Sequence, residues 1–393
     1  MAGAAGSARA QESEREIEIY GFAQGDVIYD FQRVDPDWED TFRPSKISVD
    51  GQFGTDGQSS ISAKQSRFGV RGSMPTGEGN APLDFTFEFN LLGSGVDAGQ
   101  TAFHLRHFYG EWGPILAGQT WSLFADSDLS PNVIDEFGPA SRIWARNAQI
   151  RWTPFRTRGR HLAIAVERPS NDIDPGNVRL IEEFADAEVR PNEELPDLTA
   201  QFRIGADWGH VQAAGLLRKV GFEYRVAPTD NFAKGSETGW GINLSSVIKI
   251  AARGNVLLGV VHGHAIGTYV KDGGPDLAPQ LLSPDPDPLV AAEVLPMTGV
   301  TAYYDHRWNA KWSSSIGYSV SQVQNTNVQS DGAFHKGEYA STNLLAYPVE
   351  NLVMGGEVLW GERENKDASS GHDVRLQFSV KYSFSFKLQS GSR

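Results

Sequence analysis

The sequence contains no cysteine among its 393 residues, which excludes disulfide bonds and metal or iron–sulfur centres with cysteine ligands. It also lacks any run of 18 apolar residues, so no segment has the character of a membrane-spanning helix. Helical periodicity is scarce, and only 178–189, VRLIEEFADAEV, resembles a short helix. Motifs of serine hydrolases, zinc peptidases and nucleotide-binding loops are missing as well. We therefore expect neither a cofactor nor a helical core.

Strands dominate the chain instead, because apolar and polar residues alternate over many short segments. In 372–386, HDVRLQFSVKYSFSF, every second residue from Val374 to Phe386 is apolar, and the residues between them are polar or charged. This pattern is typical of a strand with one apolar face, and the strand is longer than the usual five or six residues. Sixteen segments share the pattern: 17–32, 59–73, 83–93, 103–113, 115–124, 142–154, 161–170, 197–209, 210–224, 236–250, 254–270, 297–309, 311–325, 335–348, 351–363 and 372–386.

The connections between these segments alternate between long and short. The long ones are 33–58, 125–141, 171–196, 225–235 and 271–296. The short ones are Gly113-Pro114, Gly209-His210, 251–253, Asn309-Ala310 and Val349-Glu350. A soluble protein with several sheets would explain the alternation within strands but not this sorting of loops. A transmembrane β-barrel explains both, because its tight turns face the periplasm and its long loops face outward.

We therefore predict an all-β fold, a transmembrane antiparallel β-barrel of 16 strands with long outer loops and short periplasmic turns. The sheet must close on itself, since lipid offers no hydrogen bonds to an open edge. The barrel domain is predicted at 17–386, between a disordered segment, 1–16, and a tail, 387–393. The predicted location is the outer membrane of a Gram-negative bacterium.

The first residues have two interpretations. Ala8 and Ala10 precede Gln11 in the small-x-small pattern found before signal-peptide cleavage sites. The charged and apolar regions of a signal peptide are missing upstream. Residues 1–10 are therefore either a trimmed remnant of such a peptide or an ordinary alanine- and glycine-rich start.

Negative charge is concentrated in three long connections. The net charge is −14, and 33–58, 171–196 and 271–296 together hold nineteen acidic and six basic residues, or 13 of the 14 excess charges. We therefore expect the acidity at the outer surface, where divalent cations would bridge it to lipopolysaccharide phosphates. Asp285 and Asp287 form either a weak calcium contact or part of a solvated, proline-stiffened loop. No nucleic-acid partner is expected.

Arginine dominates the charged residues that alternation places inside the barrel. A guanidinium group is permanently charged and suits carboxylates, so an arginine-lined pore would concentrate anions and repel cations. The residues predicted to line the pore are Arg67, Arg71, Arg106, Arg151, Arg203, Arg218, Arg307, Arg375 and Lys381. Alternatively, they pair with inward acids and only stiffen the wall. Those acids are Asp84, Glu88, Glu167, Asp207, Asp305 and Glu357.

Two histidines stand on one face of a predicted strand. His262 and His264 are separated by one residue, which suits a shared metal ion. No third ligand lies nearby in the sequence, so we interpret them as wall residues and predict no metal site.

Two stretches resemble the DcaP-like family of trimeric outer-membrane porins. They are KQSRFGVRGSMPT at 64–76 and GPILAGQTWSLFADSDLSPNVIDEFGP at 113–139. In that family a QSRxG-type second strand and a GQTWSxF-type fifth strand lead into an inward-folded third loop. The resemblance implies a sixteen-stranded barrel, a homotrimer and uptake of small negatively charged organic solutes such as dicarboxylates. Carried over by position, Arg67 and Arg71 would line the wall.

The same resemblance implies that loop 125–141 narrows the pore. Its acids would face the arginines across the gap, which leaves open whether the loop or the wall governs selectivity. These acids are Asp126, Asp128, Asp135 and Glu136. We therefore expect a passive diffusion channel. The alternatives are an outer-membrane barrel enzyme, lipase-like or protease-like, for which no nucleophile stands out, and a structural or adhesive barrel with a plugged lumen.

Overall fold

The computed structural model describes residues 15–77, 79–283 and 289–390, and this part of the chain is almost entirely strand and loop. It contains no α-helix, and none of its short 3₁₀ turns is long and apolar enough to cross a membrane. Its strands are β1 (Arg15–Asp30), β2 (Gln58–Ser62), β3 (Arg67–Met74), β4 (Leu83–Leu92), β5 (Thr101–Trp112), β6 (Ile115–Trp121), β7 (Arg146–Thr157), β8 (Arg160–Glu167), β9 (Glu188–Pro191), β10 (Asp197–Ala206), β11 (Gly209–Arg225), β12 (Ala233–Ile250), β13 (Gly254–His264), β14 (Leu277–Ser283), β15 (Leu289–Val294), β16 (Pro296–Asn309), β17 (Trp312–Val323), β18 (Phe334–Ala346), β19 (Leu352–Asn365) and β20 (Ser370–Ser390).

The strands form a closed antiparallel barrel with sixteen positions. β1 pairs with β20 along its whole length, from Arg15 opposite Ser390 to Asp30 opposite Arg375, and this pairing closes the sheet. β2 and β3 share one position beside β1, and β9 and β10 share one beside β11. β14 and β15 form a separate hairpin. The predicted sixteen-stranded barrel is therefore confirmed.

Alternation along the strands separates a lipid-facing surface from the lumen. On β20, Leu376 and Phe378 are 43% and 47% exposed, whereas Arg375 and Gln377 between them are 0% and 2% exposed. An apolar outer face and a polar inner face are what a barrel in lipid requires. The lipid-facing side of β13 carries His262 and His264, which lie beside the Trp240 ring. These histidines therefore do not face the lumen.

The connections are sorted by length as predicted, with two exceptions. The turn 75–82 on the side of the termini is long, and the loop 366–369 on the opposite side is short. The turn predicted at Gly209-His210 is wrong, because the chain turns at 207–208 and β11 starts at Gly209. A Cβ on Gly209 would lie 1.9 Å from the Val247 carbonyl oxygen, so this glycine belongs to the strand pairing rather than to a free turn.

Most predicted segments agree with the observed strands to within three residues at each end, and the larger differences are the following. The predicted strand 59–73 is interrupted at 63–66, between β2 and β3. The segments predicted at 142–154 and 254–270 are shorter, since 142–145 and 265–270 belong to loops. The helix predicted at 178–189 is two 3₁₀ turns followed by β9. The first and last strands extend to Arg15 and Ser390, while residues 1–14 and 391–393 lie outside the described part, as do Asp285 and Asp287.

Several outer loops fold into the lumen instead of standing in solvent. Phe42 and Ile47 of the first loop and Leu129 and Phe137 of the third form one apolar cluster with wall residues such as Leu359. This burial carries acids inward as well, since the exposures of Asp40, Asp272 and Asp276 are 6%, 0% and 0%. The prediction that the acidity of these loops lies at the outer surface is therefore wrong for those three residues.

Candidate functional site: a constriction inside the barrel

A loop at 122–145, here called the constriction loop, crosses the lumen from β6 to the opposite wall. Its Ile134 and Asp135 backbone N–H groups donate to the Glu357 carboxylate on β19, at 2.8 Å and 3.2 Å. The Ala140 N–H donates to the Ser319 hydroxyl on β17 at 3.1 Å. Buried side chains of the loop add apolar contacts to these hydrogen bonds. The loop is therefore fixed against the far wall and divides the lumen.

The near side of the loop is held by the KQSR stretch that interrupts the second barrel strand. Gln65 accepts a hydrogen bond from the Glu136 N–H at 3.0 Å, and Arg67 lies 3.1 Å from the Glu136 carboxylate. Arg106 on β5 binds the same carboxylate and also Glu88, at 2.8 Å. Burial opposes ionisation of Glu136, but Arg106, Arg67 and Lys271 outweigh it and hold its pKa below the usual range.

Two cavities meet at this cluster. The outer one, about 170 Å³, lies below the first, second and sixth outer loops. The inner one, about 370 Å³, lies between the constriction loop and the wall formed by β1, β3, β5 and β20. Arg106, Glu136 and Trp144 line both cavities, and the boundary that these three residues form is here called the narrow passage.

Positive charge predominates along this path. The two cavities are lined by eight cationic side chains and five carboxylates, a difference of three positive charges. The cations are Arg43, Lys64, Arg67, Arg106, Arg142, Arg146, Lys271 and Lys381. The carboxylates are Asp37, Asp40, Glu88, Asp135 and Glu136. An anion on this path meets more attractive than repulsive charge.

Five of these cations were missed by sequence reasoning. Arg43, Lys64, Arg142 and Lys271 lie outside regular strands, and Arg146 is the first residue of β7. Period-two alternation says nothing about where such side chains point. A weak signal was available for Arg142 and Arg146 only, because each lies two residues from Trp144 in the sequence. The guanidinium of Arg142 lies 3.7 Å from the Trp144 ring, and Lys271 lies 3.9 Å from it.

The structure places only some of the predicted pore-lining residues at the constriction. Arg67, Arg106 and Lys381 line the two cavities. Arg71 pairs with Glu18 at 2.8 Å nearer the termini, with its side chain 57% exposed. Arg151 donates to Gln149 and to the Trp121 carbonyl oxygen, at 2.9 Å and 2.6 Å.

The remaining predicted arginines support the structure elsewhere. Arg203 binds Asp128 of the constriction loop, and Arg307 donates to the turn carbonyl groups of Asn309 and Ala310, at 2.9 Å and 2.7 Å. Two predictions need correction, because Arg218 and Arg375 do not line the pore. Arg375 is 0% exposed and holds Asp30 with two hydrogen bonds, at 2.6 Å and 2.9 Å.

Arg218 is 3% exposed and sits between two carboxylates. It lies 3.3 Å from Asp197 and 3.2 Å from Asp276. A buried charge requires such partners, so Arg218 and Arg375 fulfil the alternative role of stiffening the wall.

Only one of the four predicted loop acids faces the arginines of the narrow passage. Glu136 does so, whereas Asp135 is 0% exposed and accepts a hydrogen bond from Tyr339 at 3.1 Å. Asp126 accepts from His210 and Ser245, both at 2.7 Å, and Asp128 binds Arg203 on the other side of the loop. The acids therefore anchor the loop more than they line the passage.

Asp126, Asp128 and His210 lie close enough to one another to hold a metal ion. Arg203 is only 3.7 Å from Asp126 and already binds Asp128, so a cation is present among these carboxylates. The residues do not fit a metal centre, because the arginine would repel the ion.

Comparison with known proteins agrees with this architecture. The DcaP outer membrane protein family matches residues 7–384, while no curated relative matches the chain. The outer membrane channel DcaP of Acinetobacter baumannii has a similar structure, with a TM-score of 0.77, 21% identity, and coverage of 95% of this chain and 99% of that chain. Two other porins share the fold. The anion-selective porin from Comamonas acidovorans has a TM-score of 0.59 and 8% identity, with coverage of 94% of this chain and 100% of that chain. The trimer form of OmpT of Vibrio cholerae has a TM-score of 0.53 and 11% identity, with coverage of 95% of this chain and 100% of that chain. The family indicated by the two sequence stretches is thus confirmed, and the chain belongs to the DcaP outer membrane protein family, non-enzymatic channels of the Gram-negative outer membrane.

Proposed function

We propose that this channel passes small anionic organic solutes, dicarboxylate-like in character, by passive diffusion. The observation that carries the proposal is the excess of three positive charges around a passage whose loop acids are almost all bound elsewhere. Guanidinium groups fixed around a narrow, water-filled path attract carboxylates and raise their local concentration. The alternative in which the acidic loop favours cations requires free carboxylates, and Glu136 is held by two arginines.

Selectivity in a salt gradient tests this proposal. In a planar bilayer, the reversal potential of the wild type should correspond to a preference for anions. Replacing Arg67 with glutamine should shift it toward cations, because one guanidinium leaves the passage while Arg106 keeps Glu136 in place. The shift should shrink in high salt, since the screening length falls to roughly 3 Å at 1 M.

The chain offers matched controls for that experiment. Arg71→Gln and Arg151→Gln remove the same charge from barrel strands, but neither residue lines the two cavities. Both variants should leave the reversal potential close to that of the wild type. A cation-selective wild type, or an Arg67→Gln variant indistinguishable from these controls, would show the proposal to be wrong.

We also propose that the channel is a homotrimer. Among the barrel strands, β3, β6 and β8 have only eight, seven and eight residues, whereas β11 and β12 have 17 and 18. At about 3.3 Å per residue, β6 reaches roughly 23 Å when upright and less when tilted, below the apolar band of about 25 Å. The part of the wall formed by these short strands would be covered by a neighbouring copy of the chain in a closed ring of three subunits. Its outer face carries ring contacts among Phe87, Phe89, Phe103 and Phe108.

Cysteine cross-linking can locate that interface, since the sequence has no native cysteine. Phe103 on β5 and Ile316 on β17 are equally exposed, at 59% and 58%, on opposite parts of the wall. With a long bifunctional thiol reagent in mild detergent, Phe103→Cys should yield covalent dimers, because one cysteine per chain joins only two subunits of the ring. Ile316→Cys should yield only the 43.0 kDa monomer on a denaturing gel. A monomeric mass in mild detergent would contradict the trimer, and equal cross-linking would contradict the location.

The contact with lipopolysaccharide remains a prediction. Glu182, Glu183 and Asp186 of the fourth outer loop are exposed, and divalent cations there would bridge them to lipid phosphates.

A further inference from the structure

Two cations beside the narrow passage differ from the others because neither an ion pair nor a hydrogen bond holds them. Arg67, Arg106, Lys64 and Arg43 each have an ion-pair partner. Arg142 and Lys271 have none, but they donate hydrogen bonds to the carbonyl oxygens of Leu129 and Glu136 in the constriction loop. Within the described chain, Arg146 and Lys381 have neither kind of partner. Arg146 lines the outer cavity and Lys381 the inner one, so one unpaired cation lies on each side of Glu136.

Arg146 is held by aromatic rings rather than by anions. Its guanidinium carbon lies 4.5 Å from the Trp121 ring and 5.3 Å from the Trp144 ring. Its Nη1 is buried and lacks a hydrogen-bond partner within the described chain. Leaving a charged donor without a partner is costly, so this N–H group is available to donate a hydrogen bond to an anion that enters the cavity.

Lys381 has a comparable environment on the other side. Its Nζ lies 5.2 Å from the Phe22 ring, which it shares with Arg67, 5.3 Å away. Phe22, Trp121 and Trp144 all line the inner cavity. Each unpaired cation is thus next to aromatic surface that can contact the apolar part of an organic solute.

We infer that Arg146 and Lys381 are two successive binding stations for organic carboxylates, one on each side of the Arg67–Glu136–Arg106 bridge. This inference rests on the proposed function and specifies where along the pore the solute is held. A carboxylate bound at the outer station moves to the inner one by replacing Glu136 temporarily as the partner of Arg67 and Arg106. The aromatic rings favour a carboxylate with an apolar body over chloride, because that body removes apolar surface from water.

One-sided block of the chloride current tests the two stations. Benzoate is added to one chamber of a planar bilayer containing a single channel, and the concentration for half block is measured from each side. Arg146→Gln should weaken block from the outer side about tenfold, roughly what a hydrogen bond to a charged group contributes, and leave inner block nearly unchanged. Lys381→Gln should show the opposite asymmetry.

The orientation of the inserted channel is determined with the variant Asp331→Cys, which places a thiol at an exposed position of an outer loop. A bulky maleimide polymer should lower the current of this variant only when it is added to the outer side.

Lys46→Gln is the matched control for the outer station. Lys46 belongs to the first outer loop and pairs with Asp35 at 3.6 Å, but it lines neither cavity, so its replacement should leave block unchanged from either side. The inference is overturned if the two station variants lose block equally from both sides, or if neither differs from the control. The proposed function has a separate readout. If the wild type is anion-selective but the station variants behave like the control, only the inference about the two stations is wrong. A cation-selective wild type would contradict both the stations and the proposed function.

Discussion

Replacing Glu136 with glutamine should raise the preference for anions roughly threefold or more, the largest change expected from a single substitution in the passage. Glu136 is the carboxylate shared by both cavities, and its removal leaves Arg67 and Arg106 with Glu88 as their remaining partner. A unit charge about 5 Å away contributes on the order of 3 kcal/mol at an effective dielectric constant of about 20, and pore water screens most of it. The measurement is the reversal potential in a salt gradient.

Asp128→Asn provides the matched comparison for this result. It removes the same charge from the same loop, but Asp128 faces Arg203 on the other side, away from both cavities of the passage. Its effect on selectivity should be clearly smaller. If Glu136→Gln leaves the reversal potential unchanged, the anion path does not run beside Glu136 and the location of the constriction is wrong.

Replacing Glu357 with alanine should release the constriction loop and give a larger, noisier single-channel conductance. Glu357 is 2% exposed and accepts hydrogen bonds from the Ile134 N–H, the Asp135 N–H and the Asn343 amide at 2.8, 3.2 and 2.9 Å. The alanine leaves two buried backbone donors without an acceptor, which costs roughly 1–3 kcal/mol for each donor. Detachment of the loop allows water to solvate those donors, so the open lumen becomes favoured.

Two variants make this experiment decisive. Glu357→Gln retains one acceptor oxygen and should give an intermediate conductance. Glu338→Ala, on the neighbouring strand β18, removes a glutamate that pairs with Lys336 at 3.2 Å and does not contact the loop, so its conductance should match the wild type. Migration of unboiled and boiled samples on a detergent gel confirms that each variant still forms a barrel. A folded Glu357→Ala channel with unchanged conductance would show that apolar packing alone holds the loop.

The amino-acid sequence by itself determined the barrel. Sixteen strand positions, the lipid-facing side of β20 and the sorting of loops follow from period-two alternation, because adjacent residues of a strand must point to opposite faces. The family also followed from sequence, through the stretches that contain Gln65 and Arg67. Gln65 binds the backbone N–H of Glu136, and Arg67 binds its carboxylate. The motif therefore contains the residues that hold the constriction loop in place.

Only the tertiary structure decided which charges reach the solute. Alternation places both Arg67 and Arg375 inside the barrel. Arg67 lines the passage, whereas Arg375 is buried and hydrogen-bonded to Asp30. The difference depends on where loops from distant parts of the chain fold into the lumen, and local periodicity carries no information about such long-range packing. For the same reason Arg146 and Lys271 emerged as part of the passage only when the constriction loop was in place beside them. A strand pattern fixes the face on which a side chain lies, whereas the contacts across the lumen fix whether it meets water, a partner or a passing solute.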